Sequence, residues 1–199
     1  MIGIIDYGLG NLKSFSNILK RLDSEFLILQ HNKDFDKCSK FILPGVGSFD
    51  EAINKLKSKD YFENLEFQII NKQKKILGIC VGMQIFLDKS EEGSLKGLGW
   101  VSGEVKKFSN QNFRVPHTGW NKLKVQKKNE LFKNLINPEF YFLHSYYCQL
   151  NNLDQSISLT NYSIEFCSSF VYRNIFGIQF HPEKSHENGI QLLNNFIKL

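Results

Sequence analysis

The sequence lacks long hydrophobic runs and closely spaced cysteines. No apolar stretch among its 199 residues approaches the ~18–20 needed to cross a bilayer. The N-terminus has no basic region before its apolar residues, so we expect neither a signal peptide nor a membrane anchor. The four cysteines are too widely spaced for a zinc ribbon, a redox motif or a disulfide framework. We therefore expect reduced thiols, a cytoplasmic location and no metal or cofactor.

The sequence also lacks a strong excess of one charge. Lys and Arg total 25 against 20 Asp and Glu, a net charge of +5, and the lysines are scattered. A nucleic-acid binder usually concentrates its basic residues on one face, so we do not expect nucleic acid as a partner. Hydrophobic residues make up 42% of the chain and charged residues 23%, which is typical of a folded protein. This length suits one domain spanning residues 1–199.

The first half of the chain alternates predicted strands with predicted helices. The predicted strands are residues 2–6, 25–30, 40–43 and 75–79. The predicted helices are residues 12–22, 49–56 and 61–71, with a further helix that includes 83–87. This order indicates right-handed crossovers and a mostly parallel central sheet with helices on both faces. We therefore predict an α/β, flavodoxin-like fold.

The second half has a different pattern, in which β-branched or aromatic runs are broken by polar turns. Such runs predict an additional, more antiparallel strand region. They cover residues 101–108, 121–125, 140–147, 156–159 and 167–172. The chain then closes with a predicted strand at 176–180 and a helix from about 187 to 199.

A candidate nucleophile lies at one strand-to-helix junction. The predicted strand 75–79 ends directly before Cys80, and Gly78 and Gly82 flank this cysteine. This pattern is the thiol counterpart of the nucleophile elbow, in which small neighbours let a strained turn pack closely. A helix N-terminus beyond Cys80 would stabilise a thiolate. The alternative is a buried cysteine at a strand end with incidental glycines.

A second loop pairs a histidine with a carboxylate. His181 and Glu183 follow the predicted strand 176–180, and in an extended segment residues two apart project from the same face. His181 is suited to take the thiol proton and return it to a leaving amine, while Glu183 fixes the imidazole tautomer. Alone, His-Pro-Glu is more often a surface turn. Together with Cys80 at the same sheet edge, the pair forms a specific constellation.

The turn Pro44–Gly47 follows a third strand at this edge. Its backbone N–H groups, and the N–H after Cys80, are candidate donors to an oxyanion formed during acyl transfer. By itself the turn is weak evidence, because similar turns are common in α/β proteins without this chemistry.

Taken together, these motifs resemble those of class I (triad) glutamine amidotransferases in order and approximate spacing, over essentially the whole chain. Four further segments resemble the glutaminase subunits of imidazole glycerol phosphate synthases, which belong to histidine biosynthesis. These segments are residues 6–11, 115–121, 142–147 and 180–185. Leu9 and Thr118 stand where that family usually has Met, and neither is a reacting group.

The resemblance implies roles for individual residues. Cys80 would attack the side-chain amide of L-glutamine, His181 would act as general base and acid, and Glu183 would orient the histidine. The implied substrate-binding and oxyanion positions are Gly45, Val46, Gly47, Gln84, Ser145 and Tyr146. The implied partner-interface positions are Asn11, Trp120 and Lys184. For Trp120 the alternative is a core aromatic, and for Lys184 a solvated charge.

The resemblance also implies a partner. Members of the family pass ammonia to a (β/α)8-barrel cyclase subunit in a heterodimer. We expect the isolated chain to be a poor glutaminase until the liganded partner reorganises the turn at Gly45–Gly47. Among the remaining histidines, we expect His144 to be packed and hydrogen-bonded and His31 and His186 to lie on the surface. The role of His117 is open.

Three alternative functions stay open at this point. The first is a paralogous glutaminase subunit that supplies ammonia to another synthase, such as a sugar-amidating enzyme. The second is a binding module on a flavodoxin-like fold with a structural Cys80, and the third is a stand-alone cysteine hydrolase. The joint presence of Cys80, His181 and Glu183 favours an enzyme over a binding module.

Overall fold

The computed structural model describes residues 1–108 and 114–199. The helices in that part are α1 (Leu12–Arg21), α2 (Phe49–Lys57), α3 (Phe62–Glu66), α4 (Val81–Gln84) and α5 (His186–Lys198). Its strands are β1 (Ile2–Ile5), β2 (Phe26–Leu29), β3 (Lys40–Leu43), β4 (Lys75–Ile79), β5 (Lys89–Ser90), β6 (Gly103–Lys107), β7 (His117–Lys122), β8 (Lys124–Val125), β9 (Glu139–His144), β10 (Tyr146–Leu150), β11 (Ser156–Tyr162), β12 (Ile164–Tyr172) and β13 (Ile175–Ile178).

Five parallel strands form the centre of the main sheet, in the order β2-β1-β3-β4-β13. Leu43 pairs with Gly78, and Ile79 pairs with Ile178. Because these strands run in the same direction, β3, β4 and β13 end at one edge of the sheet. The loops that the sequence analysis singled out follow these three strands directly.

Both faces of the parallel centre are covered by helices. Ile5 and Phe41 pack in one core cluster with α2, α3 and α4, whereas Ile4 and Ile42 pack in a second cluster with α1 and α5. Neighbouring strand residues therefore bury opposite faces, which explains why these strands are apolar throughout. The predicted α/β fold is confirmed.

The predicted antiparallel region is also confirmed, although two segments predicted as single strands are each divided between two strands. β12, β10 and β6 extend the main sheet in antiparallel pairings beyond β13, while β7 and β9 form a separate two-stranded sheet. The predicted strand 140–147 is broken at Ser145, because β9 and β10 belong to different sheets. The predicted strand 121–125 is likewise divided between β7 and β8, at Leu123.

Two helical predictions need correction. The helix expected to include residues 83–87 begins earlier, directly after Cys80, and has only four residues. The helix expected at 61–71 is an α-helix only over its first turn and then widens into a π-helix at Phe67–Asn71.

No helix within residues 1–108 and 114–199 combines the length and apolar character that crossing a membrane requires. The same residues contain no group of three or more His, Cys, Asp or Glu side chains arranged to hold a metal ion.

Candidate active site

Cys80 occupies a strained backbone position between β4 and α4. Its φ is +56° and its ψ is −114°, a combination that residues with a Cβ rarely adopt. The backbone N–H of Cys80 donates to the carbonyl of Ile178 at 2.9 Å, which anchors the turn to β13. Strain of this kind persists only where the surrounding structure imposes it, and it is the geometry expected of a nucleophile elbow.

Three glycines make the close packing around Cys80 possible. A Cβ on Gly82 would lie 2.3 Å from the carbonyl oxygen of Leu43, and one on Gly78 would lie 2.6 Å from the carbonyl oxygen of Gly82. A Cβ on Gly45 would lie 2.6 Å from the backbone nitrogen of Gly82. The Pro44–Gly47 turn is therefore packed directly against the elbow.

His181 and Glu183 form a buried hydrogen-bonded pair. Nδ1 of His181 lies 2.8 Å from Oε1 of Glu183, and their side chains are 2% and 4% exposed. The segment is not extended as expected, because Pro182–Lys184 forms a 3₁₀ turn with Pro182 in its first position. Proline favours that position because its φ is preset and it has no N–H to satisfy. The predicted contact is correct, whereas the predicted backbone conformation is wrong.

The pair holds His181 in a state suited to a thiolate partner. Burial alone would lower the pKa of His181, but hydrogen bonds to Cys80 and Glu183 outweigh it and raise the pKa to about 10. Since Nδ1 is engaged by Glu183, Nε2 is the ring nitrogen available to Cys80. Cys80 and His181 line one cavity, so the three side chains form a Cys-His-Glu arrangement.

Short backbone and side-chain hydrogen bonds fix the histidine loop. The N–H of His181 donates to the carbonyl of Tyr141 at 2.8 Å, and the hydroxyl of Ser185 donates to the carbonyl of His181 at 2.6 Å. The same Ser185 oxygen accepts from the N–H of Tyr141 at 3.0 Å. The loop is therefore tied to β9 of the small sheet as well as to β13.

A cavity of about 270 Å³ opens above Cys80 and His181. Its lining residues come from the segments that follow β3, β4, β5 and β13, from the junction of β9 and β10, and from Pro116 directly before β7. Among them are Val46, Gly47, Cys80, Gln84, Glu92, Ser145, Tyr146 and His181. Every predicted substrate-binding or oxyanion residue lines it except Gly45, where an added Cβ would lie 2.4 Å from the side chain of Val81.

A buried pair of histidines lies beside the cavity. Nε2 of His144 is 3.0 Å from Nδ1 of His117, and Nδ1 of His144 is 2.8 Å from the carbonyl of Tyr146. Because a carbonyl only accepts, His144 carries its proton on Nδ1 and accepts on Nε2. His117 therefore donates from Nδ1 and accepts at Nε2 from the amide of Asn121, 3.2 Å away. The expectation of a packed, hydrogen-bonded His144 is confirmed, and His117 is its partner.

Stability at low pH should depend on His144. Burial lowers the pKa of His144 to about 3, so below pH ~6.5 the unfolded chain binds a proton that the folded chain does not. The free energy of unfolding should therefore decrease as the pH falls from 6.5 to 4.5, by up to about 1.4 kcal/mol per pH unit from this group. We expect a shallower decrease for His144→Gln, measured by urea unfolding at each pH. An unchanged slope, equal to that of the exposed control His31→Gln, would contradict the prediction.

The predicted interface residues lie at the surface. Trp120 is 45% exposed, so it is not a core aromatic, and its ring stacks on that of His186 at a centroid distance of 5.2 Å. Nζ of the exposed Lys184 lies 5.5 Å from the ring centre of Tyr141, which pairs with Trp120 across β7 and β9. Asn11 is also exposed, and its side chain caps α1 by accepting from the N–H of Ser14.

Two residues near the nucleophile were not predicted. Glu92 lines the cavity, and burial raises its pKa. No sequence signal distinguishes it, because it lies in a polar loop after β5. Gln179 lies fully buried between Cys80 and Gln84. Its position directly before Phe180-His181 was a usable signal, since it lies in the loop that carries the histidine.

The arrangement of a strained cysteine, a buried His-Glu pair and an adjoining glycine turn defines a class of protein. The family model described as glutamine amidotransferase class-I matches residues 3–199. The chain belongs to this family.

Two curated relatives carry the name imidazole glycerol phosphate synthase subunit HisH. The protein from Leptospira borgpetersenii is 49% identical over 204 residues, and that from Bdellovibrio bacteriovorus is 43% identical over 204 residues. In both cases 100% of this chain and 100% of the relative are covered.

Two solved structures support the fold alone. One is described as a glutamine amidotransferase and superimposes with a TM-score of 0.75 at 14% identity, covering 98% of this chain and 97% of the other. The second is a chain in the structure of PurLQS from Thermotoga maritima, with a TM-score of 0.73 at 16% identity and coverages of 99% and 97%.

Proposed function

We propose that this chain is the glutaminase subunit of an imidazole glycerol phosphate synthase. It hydrolyses glutamine and supplies ammonia to a synthase subunit in histidine biosynthesis. The observation that carries the proposal is the meeting of strained Cys80 with the buried His181–Glu183 pair at one small cavity. Nearly half of the residues are identical to those of a protein named as that subunit.

In the proposed reaction the Cys80 thiolate attacks the side-chain amide carbon of glutamine. Backbone N–H groups of Val46 and Gly47 and the N–H after Cys80 stabilise the oxyanion. His181, which carries the proton from the thiol, gives it to the nitrogen as the C–N bond breaks, and ammonia and a glutamyl thioester result. His181 then takes a proton from water, which attacks the thioester. The C–S bond breaks, glutamate leaves, and the Cys80 thiolate is restored beside protonated His181. Glu183 keeps the imidazole oriented and stabilises its charged form.

The cavity offers suitable contacts for the rest of the substrate. The side-chain nitrogen of Gln84 donates to the carbonyl of Tyr146 and to the side-chain oxygen of Gln179. The side-chain oxygen of Gln84 is left as an acceptor for the substrate amide. Ser145 and Tyr146 line the same cavity. Glu92 supplies the carboxylate among the described lining residues, and a carboxylate suits the α-ammonium group of an amino acid.

The partner in this proposal is a (β/α)8-barrel cyclase subunit that receives the ammonia in a heterodimer. The exposed patch of Trp120 and Lys184, together with Asn11, is the proposed docking surface. Trp is one of the residue types that most often dominate the binding energy of protein interfaces, and Trp120 is exposed. We further propose that residues 1–199 fold as one domain and act in the cytoplasm.

Glutamate release should depend on the partner. We expect slow release from the chain alone and a rate about 10²–10³-fold higher with the liganded synthase subunit. This is the rate effect expected when a rearranged Gly45–Gly47 turn adds one hydrogen-bond donor to the oxyanion. The measurement compares steady-state release by the chain alone, with the partner, and with the partner plus its ligand. Equal rates in all three would contradict the coupling and favour a stand-alone hydrolase. Co-purification with a sugar-amidating synthase instead would favour the paralogous function.

A further inference from the structure

Gln179 links the nucleophile to the head-group binder Gln84. Its side chain is fully buried, directly after β13. Nε2 of Gln179 lies 3.7 Å from Sγ of Cys80, and Oε1 lies 3.0 Å from Nε2 of Gln84. The backbone N–H of Gln179 donates to the carbonyl of Ser168 at 2.9 Å, so the residue is held at both ends.

The orientation of this amide follows from a single carbonyl. The oxygen of Tyr146 accepts from Nε2 of Gln84 at 3.0 Å, and a backbone carbonyl has no donor with which to reverse that bond. The same nitrogen of Gln84 therefore also donates to Gln179, which accepts through its side-chain oxygen. The nitrogen of Gln179 is consequently the atom directed at Cys80.

Resting on the glutaminase activity proposed above, we propose that Gln179 is a further residue of the catalytic machinery, which donates an N–H to the sulfur of Cys80 and stabilises its thiolate. Donation to an ionised sulfur is a charge-assisted hydrogen bond, which is stronger than the same bond to a neutral thiol. The bond also fixes where the sulfur lies relative to the cavity.

The need for such a donor arises from the shape of the elbow. α4 has only four residues, so a helix dipole gives the sulfur little support. The neutral thiol has an acceptor in the carbonyl of Leu143, 3.8 Å away, but a thiolate has no hydrogen to give it. On ionisation the sulfur therefore relies on donors, and the side-chain nitrogen of Gln179 is directed at it from 3.7 Å away.

The test is the pH dependence of Cys80 alkylation by iodoacetamide in the full-length chain, read by mass spectrometry of the Cys80 peptide. Gln179→Met keeps the volume but removes the donor, and Gln179→Glu keeps an acceptor for Gln84 but removes the donor when ionised. We expect both variants to shift the midpoint of the profile by about one to two pH units upward, Glu more than Met, and to lower kcat about 10–100-fold. The second variant preserves the test if the first does not fold.

The matched control is Gln68→Met. Gln68 is also buried, but its amide donates to Asp36 and Asn64, away from the cavity. If Gln179 had only a structural role, its variants would change the unfolding midpoint but would keep the same alkylation profile as Gln68→Met. That result would overturn the proposal. Because alkylation requires neither glutamine nor a partner, this outcome is separate from the glutaminase assay. Absence of glutamate release by the wild-type complex would contradict the proposed function instead.

Discussion

Cys80→Ala should abolish glutamine-dependent synthesis by the complex while leaving synthesis from added ammonium salt intact. The substitution removes the sulfur that forms the thioester but not the route by which ammonia is used. Loss of a catalytic nucleophile typically lowers turnover by about 10⁴–10⁶-fold. The side chain is small and buried, so the loss of one sulfur atom should leave the fold in place. The measurement is glutamate release and synthase turnover, each with glutamine and with ammonium.

A matched control for this variant is Cys38→Ala. Cys38 is likewise a buried free cysteine, but it packs near Gly3 in the core cluster that includes α2, α3 and α4. It should retain nearly all glutamine-dependent activity. Glutaminase turnover near the wild-type rate in Cys80→Ala would mean that another group is the nucleophile.

Glu183→Gln should lower kcat by about 10²–10⁴-fold with a small change in KM. A glutamine at this position has the same size, but it loses the charge that stabilises the protonated ring. Where its amide nitrogen faces Nδ1 of His181, it also places the ring proton on Nε2, the nitrogen that must accept from Cys80. The effect should therefore fall on turnover rather than on binding.

Glu187→Gln serves as the control for this charge change. Glu187 pairs with Arg21 at 2.8 Å on the surface, where ion pairs contribute little. In steady-state kinetics kcat should fall in Glu183→Gln and should stay near the wild-type value in Glu187→Gln. An unchanged kcat in Glu183→Gln would reduce Glu183 to a residue of the 3₁₀ turn.

The parallel centre of the fold was predictable because its strands carry strong local signals. β3 and β4 were predicted to the residue, since each is a short apolar run that ends at glycine or proline or at the cysteine elbow. The break at Ser145 was not predictable in the same way. The run 140–147 reads as one strand, and only its pairing with two different sheets interrupts it.

The candidate site was predictable wherever function requires an unusual residue pattern. The glycines around Cys80 indicated the close packing that the structure contains. The order of strands and loops placed His181 at the same edge of the sheet as Cys80. Glu92 and Gln179 were missed for a physical reason. Both act through tertiary contacts with residues distant in sequence, Phe49 and Gln84, which the local pattern does not reveal. Only the position of Gln179, in the loop that carries His181, offered a signal.

The most direct test of the central claim is rapid acid quenching of the complex during its first turnover of isotope-labelled glutamine. The protein is digested and the labelled peptide is identified by mass spectrometry. We predict one labelled glutamyl group, attached as a base-labile thioester to the peptide that contains Cys80. Label on any other residue, or labelled glutamate formed throughout the first turnover without any labelled protein, would contradict the account.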